Sequence, residues 1–393
     1  MSNMKKIDGG VCTPLGFYAD GVSAGLKGGE AKDVAFIYSQ NLCDVSAVFT
    51  TNKMAAAPIT HARTISESNF ILINAKNANA MTGKEGLEDI HDILKTLSTK
   101  HKNLINPLMS STGVIGVRLP KEKILNAALS FDLTCKDDSA AAEAIMTTDR
   151  FSKSIAYELT CKDAKTFRMG AMAKGAGMIN PAMATMLCFI TTDAKISKDL
   201  MQPILDRVNQ KTFNAASVDG DTSTNDTVFI LANGESDCID LELFEQALEA
   251  TMEFLAKEMV RDGEGATKLV TYEMRGAKDD AEAEVAAKSL SNSLLVKTAL
   301  YGEDPNWGRI AASIGASGVT CNEATLSIAY DDVKLYEKGV NLFNADLEAA
   351  ASKVMKQDAF TVFCDLGVGE GTFRAYGCDL GYEYVKINAD YRT

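Results

Sequence analysis

The sequence predicts an α/β protein built on a mixed sheet, and three observations carry that expectation. Amphipathic helical stretches alternate with short apolar runs, those runs have the length of core strands, and no linker of biased composition divides the chain. In chain order, residues 69–74 read as a strand, bounded by Asn69 and Asn74 around an apolar centre. Residues 84–102 place Leu87, Ile90, Leu94 and Leu97 on one helical face. Strands follow at 186–192, opened by the apolar run Met186 to Ile190, and at 227–232. Residues 242–261 repeat the helical spacing with Phe244, Leu248, Met252, Leu255 and Met259, and Gly263 reads as a C-cap that delivers Glu264 just beyond the helix. Strands at 325–330 and 360–365 enclose a helix from Ala345 to Lys356, capped by Asn344. A last strand is expected at 382–388.

At 393 residues the chain can bury a large core, and length alone suggests two or three domains. No internal repeat has a solenoid period. The acidic stretch Lys278 to Glu284 reads as a solvated loop or helix start. A formal charge of −13, from 53 acidic and 40 basic residues, opposes nonspecific binding to nucleic acid, which depends on Lys and Arg neutralising phosphates. The first ten residues have no apolar stretch behind Lys5 and Lys6, so no secretory signal is expected, and no run approaches the about 20 apolar residues of a spanning helix. The expectation is therefore a cytoplasmic protein with neither nucleic acid nor membrane as a partner.

Nine cysteines lie far apart with no CxxC pair, which fits reduced, mostly buried thiols. With three histidines and no HExxH, neither a bound metal nor a serine triad is expected. Gly21-Val22-Ser23-Ala24-Gly25 spells a nucleophile elbow, but Gly28 and Gly29 interrupt the helix that motif requires. Asp219 to Asp226 is rich in side-chain oxygens yet lacks the central glycine and closing glutamate of a calcium loop, so turn capping is the expected use.

The chemistry concentrates in Lys174 to Cys188, where Thr185 stands between small residues and an apolar run. Gly175 and Gly177 permit backbone angles that other residues resist, and Ala182 and Ala184 leave the Ala184 carbonyl open to close approach. A threonine hydroxyl is a weak nucleophile until a base takes its proton, and an N-terminal threonine carries that base as its own α-amine. The amine's reference pKa of about 7.7–8.0 leaves a useful fraction unprotonated near neutral pH. The hydroxyl can first attack the Ala184 carbonyl and break the chain there. The alternative is a Gly-rich turn entering an ordinary strand. Acyl chemistry also needs donors for an oxyanion. Ser110 to Val117 offers hydroxyls and a close-approach backbone at Thr112-Gly113, though taken alone it reads as a turn.

Together the segments Lys174 to Leu187, Ser111 to Gly116 and Asn77 to Gly83 resemble the ornithine acetyltransferase family of arginine biosynthesis, also called glutamate N-acetyltransferase. The likeness runs from Gly9-Gly10-Val11 and Gly16-Phe17, through Ile145 to Asp149 and Asp262 to Lys268, to Ile387 to Thr393. The resemblance implies stacked mixed sheets flanked by helices, a self-processing fold like that of N-terminal nucleophile enzymes. It implies self-cleavage between Ala184 and Thr185, giving an α chain of 1–184 and a β chain of 185–393, and two copies of each in an α2β2 assembly. Thr185 is then nucleophile and acetyl carrier, with Thr112 and Gly113 as the oxyanion hole. Thr148, Lys174, Thr185, Glu264, Asn388 and Thr393 match the family's substrate contacts.

These residue types suit the substrates that the family implies. Acetylornithine presents a carboxylate to a cation such as Lys174, an ammonium to a carboxylate such as Glu264, and an amide to neutral groups such as Thr148 and Asn388. Outside the resemblance, Lys174 reads as a solvated charge, Glu264 as a surface residue and Asn388 as a terminal cap. The implied reaction is ping-pong acetyl transfer from acetylornithine to glutamate, without a cofactor, and some relatives also take acetyl from acetyl-coenzyme A. An N-terminal nucleophile amidohydrolase or aminopeptidase shares the activation logic, with water as acceptor. One departure stands out: Arg150-Phe151-Ser152-Lys153 follows Asp149 where many relatives have a threonine and a proline before the lysine, which leaves the turn beside Thr148 undetermined.

Overall fold

In a computed structural model of the chain, residues 3–180 and 186–390 are described. Among them, nine strands form one sheet: β1 (Met4–Ile7), β2 (Phe17–Val22), β3 (Val34–Phe49), β4 (Glu67–Asn74), β5 (Leu108–Ser111), β6 (Lys153–Thr160), β7 (Thr166–Lys174), β8 (Leu187–Thr192) and β9 (Thr227–Ala232). Six more form a second sheet: β10 (Leu269–Ala277), β11 (Ser327–Tyr330), β12 (Val333–Glu337), β13 (Val340–Asn341), β14 (Ala359–Asp365) and β15 (Gly371–Cys378). The helices are α1 (Ala57–Ala62), α2 (Gly83–Lys100), α3 (Lys121–Leu129), α4 (Asp138–Ala144), α5 (Lys198–Lys211), α6 (Leu241–Arg261), α7 (Asp280–Asn292), α8 (Leu294–Tyr301), α9 (Trp307–Ala316), α10 (Ala345–Met355) and α11 (Tyr382–Asp390).

Residues that alternate between two apolar cores build the larger sheet. In β8, Leu187 and Phe189 enter one core while Cys188 and Ile190 enter the other. In β3, Val34, Phe36 and Tyr38 face a third core, opposite Ala35 and Ile37. Because both faces are covered, these strands read as continuous apolar runs instead of alternating ones. The strand order is β1-β6-β7-β8-β9-β3-β4-β5, and the pairings β4–β5 and β8–β9 are parallel among antiparallel neighbours, so the sheet is mixed. A register shift between Tyr38 and Cys43 divides β3, whose first half pairs β2 and whose second half pairs β9. The second sheet, in the order β13-β12-β11-β14-β10-β15, is also mixed, with β10 parallel to β14.

Helices cover these faces as their periodicity predicts. The stripe Phe244, Leu248, Met252, Leu255 and Met259 of α6 is buried in the same core as Cys188 and Ile190. Ile90, Leu94 and Leu97 of α2 pack with Phe36, Phe70 and Leu72. The α10 cap is as expected, the Asn344 side chain accepting from the N–H groups of Asp346 and Leu347 at 3.0 Å each. The Lys278 to Glu284 stretch is the start of α7, where Asp279 caps the helix. After β2 the chain runs on without a helix to α1, so Gly21 to Gly25 is not a nucleophile elbow.

Two expectations need correction. The strand expected at 382–388 is helix α11. Its partly buried positions Tyr384 and Ile387 stand three residues apart, and none of its residues is buried. The apolar, β-prone composition of Tyr-Glu-Tyr-Val-Lys-Ile-Asn suggests a strand only if a sheet edge receives it, and the chain leaves the sheet at Cys378. The end of α6 also differs. Asp262 is its C-cap and the left-handed residue is Gly265 at φ 71°, while Gly263 supplies room against the Val260 carbonyl and Cys378.

Candidate functional site

Strand ends, one helix end and one loop converge on a single cavity. The parallel pairing of β4 with β5 sets Asn74 opposite Ser111 and so places Thr112 and Gly113 at the sheet margin. Lys174 ends β7 opposite Leu187, the first residue of β8. The end of α6 contributes Glu264, the loop after α4 contributes Thr147 and Thr148, and α11 contributes Asn388. These residues, with Ala78, Gly177 and Asn225 among others, line one cavity.

Thr112 and Gly113 bring a hydroxyl and a close-approach backbone to the cavity. The Thr112 N–H is spent on the Asn74 carbonyl at 3.0 Å, and Thr112 and Gly113 line the cavity. Gly113 sits at φ 134°, and a Cβ there would collide with the Lys76 backbone, so the close approach requires glycine. Asn225 fixes the platform from below, donating to the carbonyls of Ala78 at 2.6 Å and Ser111 at 2.8 Å.

Lys174 is 3% exposed, and its ammonium donates to the Thr147 hydroxyl at 2.8 Å and to Thr112 Oγ1 at 3.5 Å. Burial pushes its pKa down, while Asp149, 3.9 Å away, pulls it back up. Asp149 is the hub of this corner. It accepts from the N–H groups of Gly175 at 2.7 Å and Thr147 at 2.9 Å, and from Lys153 at 2.8 Å. Burial alone would raise its carboxyl, but the ammonium groups of Lys174 and Lys153 outweigh that and hold it well below the usual range. Lys153, 0% exposed, also donates to Asp262 at 2.6 Å, and Asp262 in turn accepts from the N–H and Nε of Arg150. Removing one member of such a buried set typically costs about 3–5 kcal/mol, because an uncompensated charge is left behind. The Arg150 contacts also define the turn after Asp149 that the sequence left undetermined.

Glu264 is held in three ways. Its N–H donates to the Ala176 carbonyl at 2.9 Å, its carboxylate accepts from the Asn388 amide at 2.7 Å, and it lies against Gly177. A Cβ on Gly177 would sit 2.5 Å from the Glu264 carboxyl carbon, so this glycine provides space and is not in a left-handed conformation. Positive φ in the loop falls instead on Gly175, at 157°, and on Met178, at 56°.

The 219–226 loop supports the site through its side chains, as turn-capping chemistry suggested. Asp219 accepts from the N–H groups of Met178 at 2.6 Å and Ile179 at 2.9 Å, and Asp226 accepts from Met186 at 2.9 Å. Both chain ends that flank residues 181–185 are thus tied to one loop. The buried Asp226 carboxyl is pushed well above its ordinary range by burial, and its second oxygen has no hydrogen-bond partner among the described residues.

Of the residues singled out from the sequence, Thr112, Gly113, Thr148, Lys174, Glu264 and Asn388 come together here. Ala184, Thr185 and Thr393 lie outside the described residues. Sequence reasoning did not single out Thr147, the nearest partner of Lys174, or the buried charges Asp149, Lys153 and Asp262. The adjacency of Thr147, Thr148 and Asp149 was visible, but which hydroxyl meets the ammonium depends on how the turn folds. All nine cysteines are free thiols, six of them buried. Among the described residues no helix is long and apolar enough to cross a membrane, and no group of His, Cys, Asp or Glu is arranged to hold a metal.

A family model described as the ArgJ family matches residues 18–393. The arginine biosynthesis bifunctional protein ArgJ of Wolinella succinogenes is 56% identical, with 100% of both chains covered. The glutamate N-acetyltransferase of Methanocaldococcus jannaschii is 44% identical over 99% of this chain and 100% of its own. Among solved structures, the ArgJ protein of Bacillus halodurans is 42% identical and aligns with a TM-score of 0.50, covering 52% of this chain and 98% of that one.

Proposed function

The chain belongs to the ArgJ family, and from that membership we propose that it is an acetyltransferase of arginine biosynthesis, moving an acetyl group from N2-acetylornithine to glutamate. The observation that carries the reading is the set of groups lining one cavity: a buried ammonium, Lys174, a carboxylate, Glu264, and the Thr112 hydroxyl beside Gly113. Acetylornithine carries groups complementary to these, a carboxylate, an acetylated amine and a terminal ammonium.

The polypeptide first activates itself. The Thr185 hydroxyl attacks the Ala184 carbonyl, an ester forms as the peptide bond breaks, and water hydrolyses the ester. The products are an α chain of 1–184, ending in a carboxylate, and a β chain of 185–393, beginning with a free α-amine. That amine takes the proton of the Thr185 hydroxyl, which attacks the acetyl carbonyl of acetylornithine. The oxyanion forms against the Thr112 hydroxyl and the Gly113 N–H. Ornithine leaves with the proton, glutamate enters, and its amine takes the acetyl group from Thr185. Lys174 holds the α-carboxylate of either substrate, with Thr148 and Thr393 completing the pocket, whereas Glu264, oriented by Asn388, meets only the ornithine ammonium. Two α and two β chains make the working assembly, and as a biosynthetic enzyme of free amino acids it belongs in the cytoplasm.

Intact-mass analysis after incubation with acetylornithine, without glutamate, tests this directly. Two chains divided between Ala184 and Thr185, the second heavier by one acetyl group, are expected. A single unmodified chain, or a Thr185→Ala protein that still divides, would overturn the mechanism. Free acetate released as fast as acetyl transfer would favour hydrolysis instead. Acetylglutamate formed from acetyl-coenzyme A and glutamate alone would add a second donor.

A further inference from the structure

Lys153 reaches no substrate, yet it joins the two halves of the site. On one side it binds Asp149, which holds the backbone on both sides of the anion-binding corner, at Thr147 and Gly175, and lies 3.9 Å from the Lys174 ammonium. On the other it binds Asp262, two residues before Glu264. The turn from Asp262 to Glu264 is also tied to this corner by the Glu264 N–H on the Ala176 carbonyl and by the Arg150 N–H and Nε on the Asp262 carboxylate. The Lys153 bridge adds the fully buried contact that couples this turn to Asp149 and so to the corner that holds Lys174. Both bridging carboxylates are fully buried, so water does not compete for them and the bridge has one geometry.

We propose that Lys153 is a positioning residue that sets the length of the donor the site accepts. Lys174 and Glu264 mark the two charged ends of the donor, and the chain Lys174–Asp149–Lys153–Asp262–Glu264 is the scaffold that spaces them. A donor one methylene longer or shorter then meets only one of its two partners. The bridge bears on the donor alone, because glutamate carries no terminal cation for Glu264 to meet. This inference rests on the assignment of acetylornithine as donor.

The test compares kcat/KM for N2-acetylornithine with that for the acetylated amino acids one methylene shorter and one longer, with glutamate as acceptor. The double variant Lys153→Met with Asp262→Asn removes one buried cation and one buried anion together and leaves the Asp149–Lys174 pair intact. Its melting temperature is recorded alongside. The expected result is a tenfold or greater loss of discrimination among the three donors, carried by a higher KM for acetylornithine, with KM for glutamate changed less than twofold. Lys153→Arg, which keeps both charges on a longer side chain, is the second variant, and a threefold or greater shift of preference along the donor series is expected. A folded variant of either kind that keeps wild-type preference would overturn the ruler. A wild-type enzyme that takes acetyl from none of the three donors would overturn the acetylornithine reading itself, and the ruler with it.

Discussion

Asp149 and the Thr147 hydroxyl stand in for the water that the buried Lys174 ammonium has lost, and the carboxylate opposes the loss of its charge. Its pKa is lowered by burial, so it deprotonates below the about 10.4 of a free lysine. KM for acetylornithine is therefore expected to rise with pH before that value is reached. In Asp149→Asn the rise should begin at still lower pH, since the charge that pulls Lys174 upward is gone. A pH profile identical in the two proteins would separate Asp149 from Lys174. Gly177 carries a second expectation at this scale. Gly177→Ala places a methyl group on the Glu264 carboxylate and should raise KM for acetylornithine about tenfold, or about 1.4 kcal/mol of donor binding, while glutamate is unaffected.

Among the elements, α11 shows most clearly how a segment's neighbours select its form. As a helix it places Tyr384 and Asn388 on one face, four residues apart, with the Asn388 amide donating to both the Tyr384 carbonyl and Glu264. Its packing onto Gly265 leaves no room for a Cβ there, which would sit 2.6 Å from the Tyr384 nitrogen. Val385→Pro should cost the helix about 3 kcal/mol. Because α11 buries no residue, that loss should raise KM for the donor while leaving the thermal midpoint of the whole protein nearly unchanged. By contrast, Asn344→Ala removes the cap of α10 far from the cavity. It should lower stability by about 1 kcal/mol in denaturant unfolding and leave KM alone.

For the whole molecule, two buried carboxyls give pH dependences of opposite sign. Asp149 is held below its usual range, so the unfolded chain takes up its proton first as pH falls. Its contribution to stability is present above about pH 4 and is lost on acidification below that. Asp226 is raised, so the native state keeps a proton that the unfolded chain releases near pH 4, and between that point and its folded value stability falls as pH rises. Asp226→Asn retains an acceptor for the Met186 N–H and removes this titration. The variant should therefore gain stability relative to the parent from pH 5 to pH 8, as read by melting temperatures at the two values. An unchanged difference between them would mean that Asp226 is already ionised in the native protein.

Sequence alone determined the mixed α/β class, the main amphipathic helices, the buried strand beyond Thr185 and six of the residues that line the cavity. Stripes such as Phe244 to Met259 and runs such as Met186 to Ile190 are legible because burial imposes a local period, and the spaced motifs carried the resemblance to a family. What the tertiary structure decided are the features set by contacts between distant segments. Tyr382 to Asp390 is a helix because the chain has left the sheet and packs onto Gly265; Gly177 is a glycine because Glu264, 87 positions later, lies on it. The bridge from Asp149 through Lys153 to Asp262 joins segments more than a hundred residues apart, and these charges become a buried scaffold only when β6, β7 and the end of α6 meet.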